Sequence, residues 1–230
     1  MTWVNTNSNT ADTVTAPIYQ FVDTPLLRVG YHAFEPADGT SAAGVVMLLH
    51  GWPDNPATWD RVVPHLVQAG YRVIVPALRG FSPTTFLKDD TPRTGQLAAL
   101  GRDLVDLIAA LGIHRPVLVG HDWGARAVAN ACGLVADLAS HMVLLSVGYG
   151  TNNPSQSISM EQARRYWYHW YMATPRGQAE VAANRRAFAQ IMWDTWSPPG
   201  WYDAPTFSAA ADAFDNPDWL PITLHSYQHR

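Results

Sequence analysis

The sequence predicts an α/β fold in which a mostly parallel sheet is flanked by helices and followed by a smaller helical region. Three observations carry this. From about residue 18 to residue 148, apolar runs alternate with segments of helical period. The later runs are continuous in Val, Leu and Ile, as strands buried on both faces of a parallel sheet require. After about residue 150 strand alternation stops, and helix-prone segments dense in Trp and Tyr take over. The expected organisation is a polar leader over 1–16, an α/β core over 17–149 and a helical cap over 150–230.

The elements follow in order. Strands are expected at Ile18–Val22, Leu26–Phe34, Gly44–His50, Arg72–Pro76, Pro116–Gly120 and His141–Val147, most of them ending in Gly, Pro or a polar residue. Between the third and fourth, Asn55 is placed to cap a helix that starts with Pro56. Leu97, Leu100, Leu104, Leu107 and Leu111 keep a helical period, which leaves Arg102, Asp103 and Asp106 for the surface. Ala125–Leu138 is rich in small residues, as suits a helix pressed closely against the sheet. The polar stretch Thr151–Ser159 then leads into helical segments carrying Tyr166, Trp167, Tyr168, Trp170, Tyr171, Phe188, Trp193 and Trp196.

Composition narrows the function. The 230 residues carry 15 Lys+Arg against 19 Asp+Glu, a net charge of −4, with no basic run to neutralise phosphates. Nucleic acid is therefore not an expected partner. No segment approaches the roughly 20 apolar residues of a membrane span. One cysteine excludes an intrachain disulfide and a Cys-based zinc cluster, so a reducing compartment, the cytoplasm, is expected. No metal or organic cofactor is implied.

The chemistry concentrates in Val117-Leu118-Val119-Gly120-His121-Asp122-Trp123-Gly124-Ala125, where a buried strand runs through Gly-x-Asp-x-Gly into a helix of small residues. Such an elbow holds its central residue in a strained turn at the top of a sheet and needs small neighbours on either side. The blander role for Asp122 is a helix cap. His50-Gly51-Trp52-Pro53, at the end of the third strand, and Pro76-Ala77-Leu78-Arg79-Gly80-Phe81, after the fourth, supply the context that favours a nucleophile. A carboxylate attacking an ester gives an unstable anhydride. Attack on an sp³ carbon displaces an alkoxide or halide and leaves a stable alkyl ester.

With these motifs the chain from about residue 18 onward resembles the α/β-hydrolase fold family. Within it the chain resembles the epoxide hydrolase and haloalkane dehalogenase branch, whose elbow reads His-Asp-Trp-Gly. The resemblance implies Asp122 as nucleophile and the backbone N–H groups of Trp52 and Trp123 as oxyanion donors, with His50 in the motif loop. It implies a small apolar epoxide or alkyl halide as substrate. Arg165-Tyr166-Trp167-Tyr168-His169-Trp170-Tyr171 and His225-Ser226-Tyr227-Gln228-His229-Arg230 resemble the two tyrosine segments of epoxide hydrolase lids, with Tyr168 and Tyr227 as the acids. Lid packing is the alternative role for either phenol.

Two other readings stay open. His169 and Trp170 also resemble the halide-binding pair of haloacid dehalogenases, with Arg126 at the spacing of a carboxylate-binding Arg. That group, however, has Arg immediately after the nucleophile, where this chain has Trp123, and haloalkane dehalogenases have Asn or Glu where it has Trp52. A ligand-binding protein that keeps the aromatic pocket without catalysis is the second alternative.

Family members continue past the lid with further strands, a water-activating histidine and a supporting acid. None of the nine histidines here occupies that position, and Leu144-Leu145-Ser146-Val147 offers no carboxylate. The last strands of the fold are thus expected to be absent from this chain. If this is the whole polypeptide, Asp122 is expected to be alkylated and the ester to turn over very slowly; the alternative is a fragment of a longer hydrolase, and a homodimer or a complementing C-terminal fragment is the expected partner.

Overall fold

The computed structural model describes residues 18–36, 41–146, 155 and 157–228. The expected leader, the boundary between 149 and 150, and Val147, His229 and Arg230 lie outside the described residues.

A single sheet contains β1 (Gln20–Asp23), β2 (Leu27–Phe34), β3 (Val45–Leu49), β4 (Arg72–Pro76), β5 (Thr85–Phe86), β6 (Val117–His121) and β7 (His141–Leu145). Their order is β1-β2-β4-β3-β6-β7, with β5 paired to β2. Strands β4, β3, β6 and β7 run parallel, whereas β1, β2 and β5 are joined by antiparallel pairings. Each of the six expected runs becomes a strand. β5 has only two residues, too few for any periodicity to announce it.

Alternation along β3 separates two layers. Val46 and Leu48 pack with Trp59 of a 3₁₀ turn (Pro56–Trp59) and Val63 of α1 (Val63–Gln68). Met47 and Leu49 face the other layer, where α2 (Leu97–Ala110) and α3 (Trp123–Leu134) lie. Asn55 does cap the element that Pro56 begins, its side chain accepting from the N–H of Ala57 at 3.0 Å, but that element is the single 3₁₀ turn. Leu100, Leu104 and Leu107 are buried along the inward face of α2. Burying each such side chain is worth about 1.5–3 kcal/mol.

Two expectations need correction here. Asp103 does not lie on the surface: it faces inward and binds the buried guanidinium of Arg79 through both carboxylate oxygens. Asp106 is likewise mostly covered, beneath Arg102. Both sit on the flank of the apolar stripe, where period alone does not separate surface from boundary. Nor is the final strand buried on both faces. β7 is the sheet edge, with Met142, Val143 and Leu145 exposed by 48%, 44% and 42%.

The helical region comprises α4 (Met160–Arg165), α5 (Trp167–Met172), α6 (Pro175–Ala183), α7 (Arg185–Trp196), α8 (Ala204–Ala211) and α9 (Trp219–Gln228), with a 3₁₀ turn at Asp212–Asp215. Three helix starts have side-chain caps: Ser159 accepts from Gln162 N–H, Thr174 from Gly177 N–H and Asp203 from Thr206 N–H. The cap is fastened over the C-terminal ends of the parallel strands. Trp193 Nε1 donates to the Pro53 carbonyl at 2.7 Å, Asn55 donates to the Ala209 carbonyl, and Arg93 pairs with Asp218 at 2.8 Å. One apolar cluster runs without a break from Leu49 and Leu118 in the sheet to Met172 and Phe214 in the cap.

Candidate active site

The site is built where β6 turns into α3. Asp122 adopts φ 50°, ψ −111°, a backbone conformation that L residues rarely hold. The turn is tight enough to need its glycines: a Cβ on Gly120 would lie 2.4 Å from the Ala125 nitrogen, and one on Gly124 would lie 2.2 Å from the Leu49 carbonyl oxygen. Asp122 N–H donates to the Leu145 carbonyl and its own carbonyl accepts from Arg126 N–H, so the strained residue is tied on both sides.

The loop after β3 closes over it. Trp52 N–H donates to Oδ1 of Asp122 at 2.9 Å. Gly51 allows the approach, because a Cβ there would lie 2.7 Å from the Asp122 Cβ. His50 is fully enclosed and holds the loop from behind. Its Nε2 accepts from Leu78 N–H at 3.0 Å, which leaves Nδ1 as the protonated nitrogen, donating to the Gly51 carbonyl at 2.8 Å. Burial lowers its pKa to about 4, so the ring is neutral. With both nitrogens engaged by backbone, His50 joins the loops after β3 and β4.

A cluster of rings gathers around Trp52, whose backbone N–H binds Asp122, and around Trp123, the residue after Asp122. Trp52 stacks on Trp123, Tyr168 and Trp219 with centroids 6.1–6.2 Å apart, and meets Tyr227 edge-on at 4.7 Å. Tyr168 from α5 and Tyr227 from α9 are buried with their rings 5.2 Å apart. His169 lies against both, at 4.5 and 4.8 Å. Asp122, Trp52, Trp123, Tyr168, Tyr227 and His169 therefore come together. Trp170 does not join them: it is 54% exposed and its indole N–H donates to the Ala163 carbonyl at 3.3 Å.

Three residues of this region escape a reading by motif. Asp54 follows Trp52-Pro53 directly; burial above all, with a smaller contribution from the nearby Asp122, pushes its carboxyl up to about 7. Thr223 accepts from the Trp52 indole N–H at 2.9 Å. Trp219 packs against Trp52 from the start of α9. Asp54 stands beside a recognised motif and Thr223 stands one helical turn before Tyr227, but neither position marks itself without the fold. Among the described residues, no group of His, Cys, Asp and Glu is suited to hold a metal ion, and no helix is long and apolar enough to cross a membrane.

A strand-to-helix elbow bearing a strained acid, faced by a backbone donor from the loop after a neighbouring parallel strand, is the hydrolase arrangement of an α/β sheet. Residues 44–207 match a family model described as the alpha/beta hydrolase fold, and the chain belongs to that family. Curated proteins that it resembles include epoxide hydrolases. The chain is 32% identical over 190 residues to epoxide hydrolase A of Mycobacterium tuberculosis, covering 80% of this chain and 57% of that enzyme. It is 40% identical over 111 residues to epoxide hydrolase 3 of Siraitia grosvenorii, covering 48% of this chain and 34% of that enzyme. A crystal structure from Klebsiella pneumoniae, provisionally assigned as an epoxide hydrolase, superposes with a TM-score of 0.84 at 38% identity, over 91% of this chain and 69% of its own. The chain thus spans between a third and three fifths of these two curated relatives.

Proposed function

We propose that this chain opens small apolar epoxides by nucleophilic attack from Asp122. One carboxylate oxygen attacks a ring carbon, the C–O bond breaks, and its electron pair passes to the epoxide oxygen. That oxygen takes a proton from Tyr168 or Tyr227, leaving a phenolate that water reprotonates. The product is a β-hydroxyalkyl ester of Asp122. Water attack on the ester carbonyl then places negative charge on its oxygen, where the N–H groups of Trp52 and Trp123 are the assigned donors. Collapse releases the diol and restores the carboxylate.

The observation that carries this reading is the Trp52 N–H···Oδ1 contact to Asp122, with two buried tyrosine rings 5.2 Å apart packed against the same Trp52. An N–H aimed at the attacking carboxylate becomes an oxyanion donor once the ester forms. Water attack also requires a general base, and the two ring nitrogens of His50 are both committed to backbone. His50 is therefore not that base.

Incubation with a terminal epoxide and with a matched bromoalkane, followed by intact mass and peptide mapping, tests the proposal. Expected is one adduct of the full epoxide mass on Asp122, lost in Asp122→Asn. An adduct elsewhere, or none with the epoxide, refutes it. Multiple turnover would show that another group of this chain activates water in the second step, and would leave the nucleophile assignment intact.

A further inference from the structure

From the geometry around α9 we infer that Thr223 is a positioning residue, which sets the Tyr227 phenol over Asp122 through the indole of Trp52. The inference rests on the proposed roles of Asp122 and Tyr227, and adds the device that holds them in register.

Trp52 makes two hydrogen bonds with two different jobs. Its backbone N–H donates to Asp122 Oδ1 at 2.9 Å, and its side-chain Nε1–H donates to Thr223 Oγ1 at 2.9 Å. Thr223 is buried, four residues before Tyr227 on α9. Positions i and i+4 lie on one helix face, so the turn that receives the indole is the turn above the phenol. The Tyr227 ring meets Trp52 edge-on at 4.7 Å, which closes a circuit of Trp52, Thr223 and Tyr227, with Asp122 joined to it through the Trp52 backbone N–H.

The rest of α9 is fastened at other points. Arg93 pairs with Asp218 just before the helix, and Gly95 N–H donates to His225 Nδ1 at 3.2 Å. The loop at Gly95 presses so closely that a Cβ there would lie 2.1 Å from the Ile222 carbonyl oxygen. These contacts fix where the helix axis runs along the core. The Thr223 bond adds a restraint on rotation about the axis at the turn nearest Trp52. A phenol oxygen sits roughly 9 Å from the helix axis, so a rotation of about 10° carries it some 1.5 Å sideways. A misplacement of about 1 Å can cost on the order of 10²-fold in rate.

The step that Tyr227 serves identifies the effect. Epoxide opening needs a proton at the leaving oxygen, whereas bromide leaves without one. Single-turnover alkylation of Asp122 by a terminal epoxide and by a matched bromoalkane is followed by intact mass in wild type, Thr223→Val, Thr223→Ser, Tyr227→Phe and Thr223→Val/Tyr227→Phe. Thr223→Val keeps the shape and removes the acceptor. It is expected to slow the epoxide by about 10- to 100-fold while leaving the bromoalkane rate within about twofold, the same selectivity expected of Tyr227→Phe. Thr223→Ser is expected to restore the epoxide rate. In the Tyr227→Phe background Thr223→Val is expected to add nothing. The proposal is overturned if Thr223→Val matches wild type, if it slows both reagents equally, or if Thr223→Ser is as slow as Thr223→Val. A wild-type chain labelled by the bromoalkane but not by the epoxide overturns the phenol assignment and this proposal together. Labelling by neither reagent overturns the assignment of Asp122 itself.

Discussion

The backbone N–H of Trp52 donates to Oδ1 of Asp122 at 2.9 Å, across 70 positions of sequence and between the ends of two adjacent parallel strands. A side-chain substitution cannot remove a backbone donor, but Gly51 controls its approach. A Cβ at residue 51 would lie 2.7 Å from the Asp122 Cβ and 3.1 Å from His121 Nδ1. Gly51→Ala is therefore expected to push the loop off the carboxylate, release the contact that orients it, and slow Asp122 alkylation by on the order of 10²-fold. The variant is expected to keep its secondary structure by circular dichroism. An alkylation rate equal to wild type would show that the contact does not matter.

The elbow and the loop after β3 were legible because each compresses its requirement into a few adjacent residues. Gly120 and Gly124 are small because backbone atoms occupy the space a Cβ would need, and that necessity is local. The apolar runs were legible for the same reason, each strand residue recording the burial of its own face. Thr223 was not, because its partner lies 171 positions away and nothing near it in sequence shows a buried indole N–H. Asp103 is not placed by its period, because a helical stripe has a flank, where an acid faces either solvent or an arginine brought in from another loop. Trp170 differs again. It adjoins His169 in sequence, but successive helix residues point about 100° apart, so one ring turns inward and the other out.

Asp54 makes stability depend on pH with an unusual sign. Burial raises its carboxyl from 3.8 to about 7, so the folded state holds a proton that the unfolded chain has released. Stability from this group is greatest at acid pH and falls as pH rises from about 4 to about 7. His50 acts oppositely: its pKa is lowered from 6.5 to about 4, and its contribution is lost as pH falls through that window. Asp54→Asn removes only the first slope. Its melting temperature relative to wild type is expected to increase steadily between pH 4 and pH 7 and to level off above. A constant difference across that range would show that Asp54 titrates as an ordinary surface acid.

The Arg79–Asp103 pair fastens the loop after β4 to α2 beneath the active-site layer. Arg79 also donates to the Thr94 carbonyl at 2.9 Å, so one guanidinium joins three segments. Removing one partner leaves a buried charge without its counter-ion, which costs about 3–5 kcal/mol, whereas replacing both by apolar side chains of similar volume is often close to neutral. Asp103→Leu is expected to lose about that much in urea denaturation, and Arg79→Met/Asp103→Leu to recover most of it. Equal losses in the single and double variants would mean that the backbone acceptors, rather than the carboxylate, give Arg79 its value.

Trp170 separates the epoxide reading from the haloacid one. A halide-binding pair needs both N–H donors directed at the departing ion, yet the Trp170 indole is half exposed and bound to the Ala163 carbonyl, while His169 lies against Tyr168 and Tyr227. Displacing bromide from a bromoalkane should then proceed without it. Trp170→Ala is expected to leave alkylation of Asp122 by both the epoxide and the bromoalkane within about twofold of wild type, since surface substitutions away from a site change little. Tyr168→Phe, one helix face away, is expected to slow the epoxide alone by about 10²-fold, the scale of a positioned general acid. A selective loss of the bromoalkane reaction in Trp170→Ala would instead require the cap to turn Trp170 inward during catalysis. That result would move the chain from epoxide opening towards dehalogenation, and measuring both reagents on one variant makes the distinction directly.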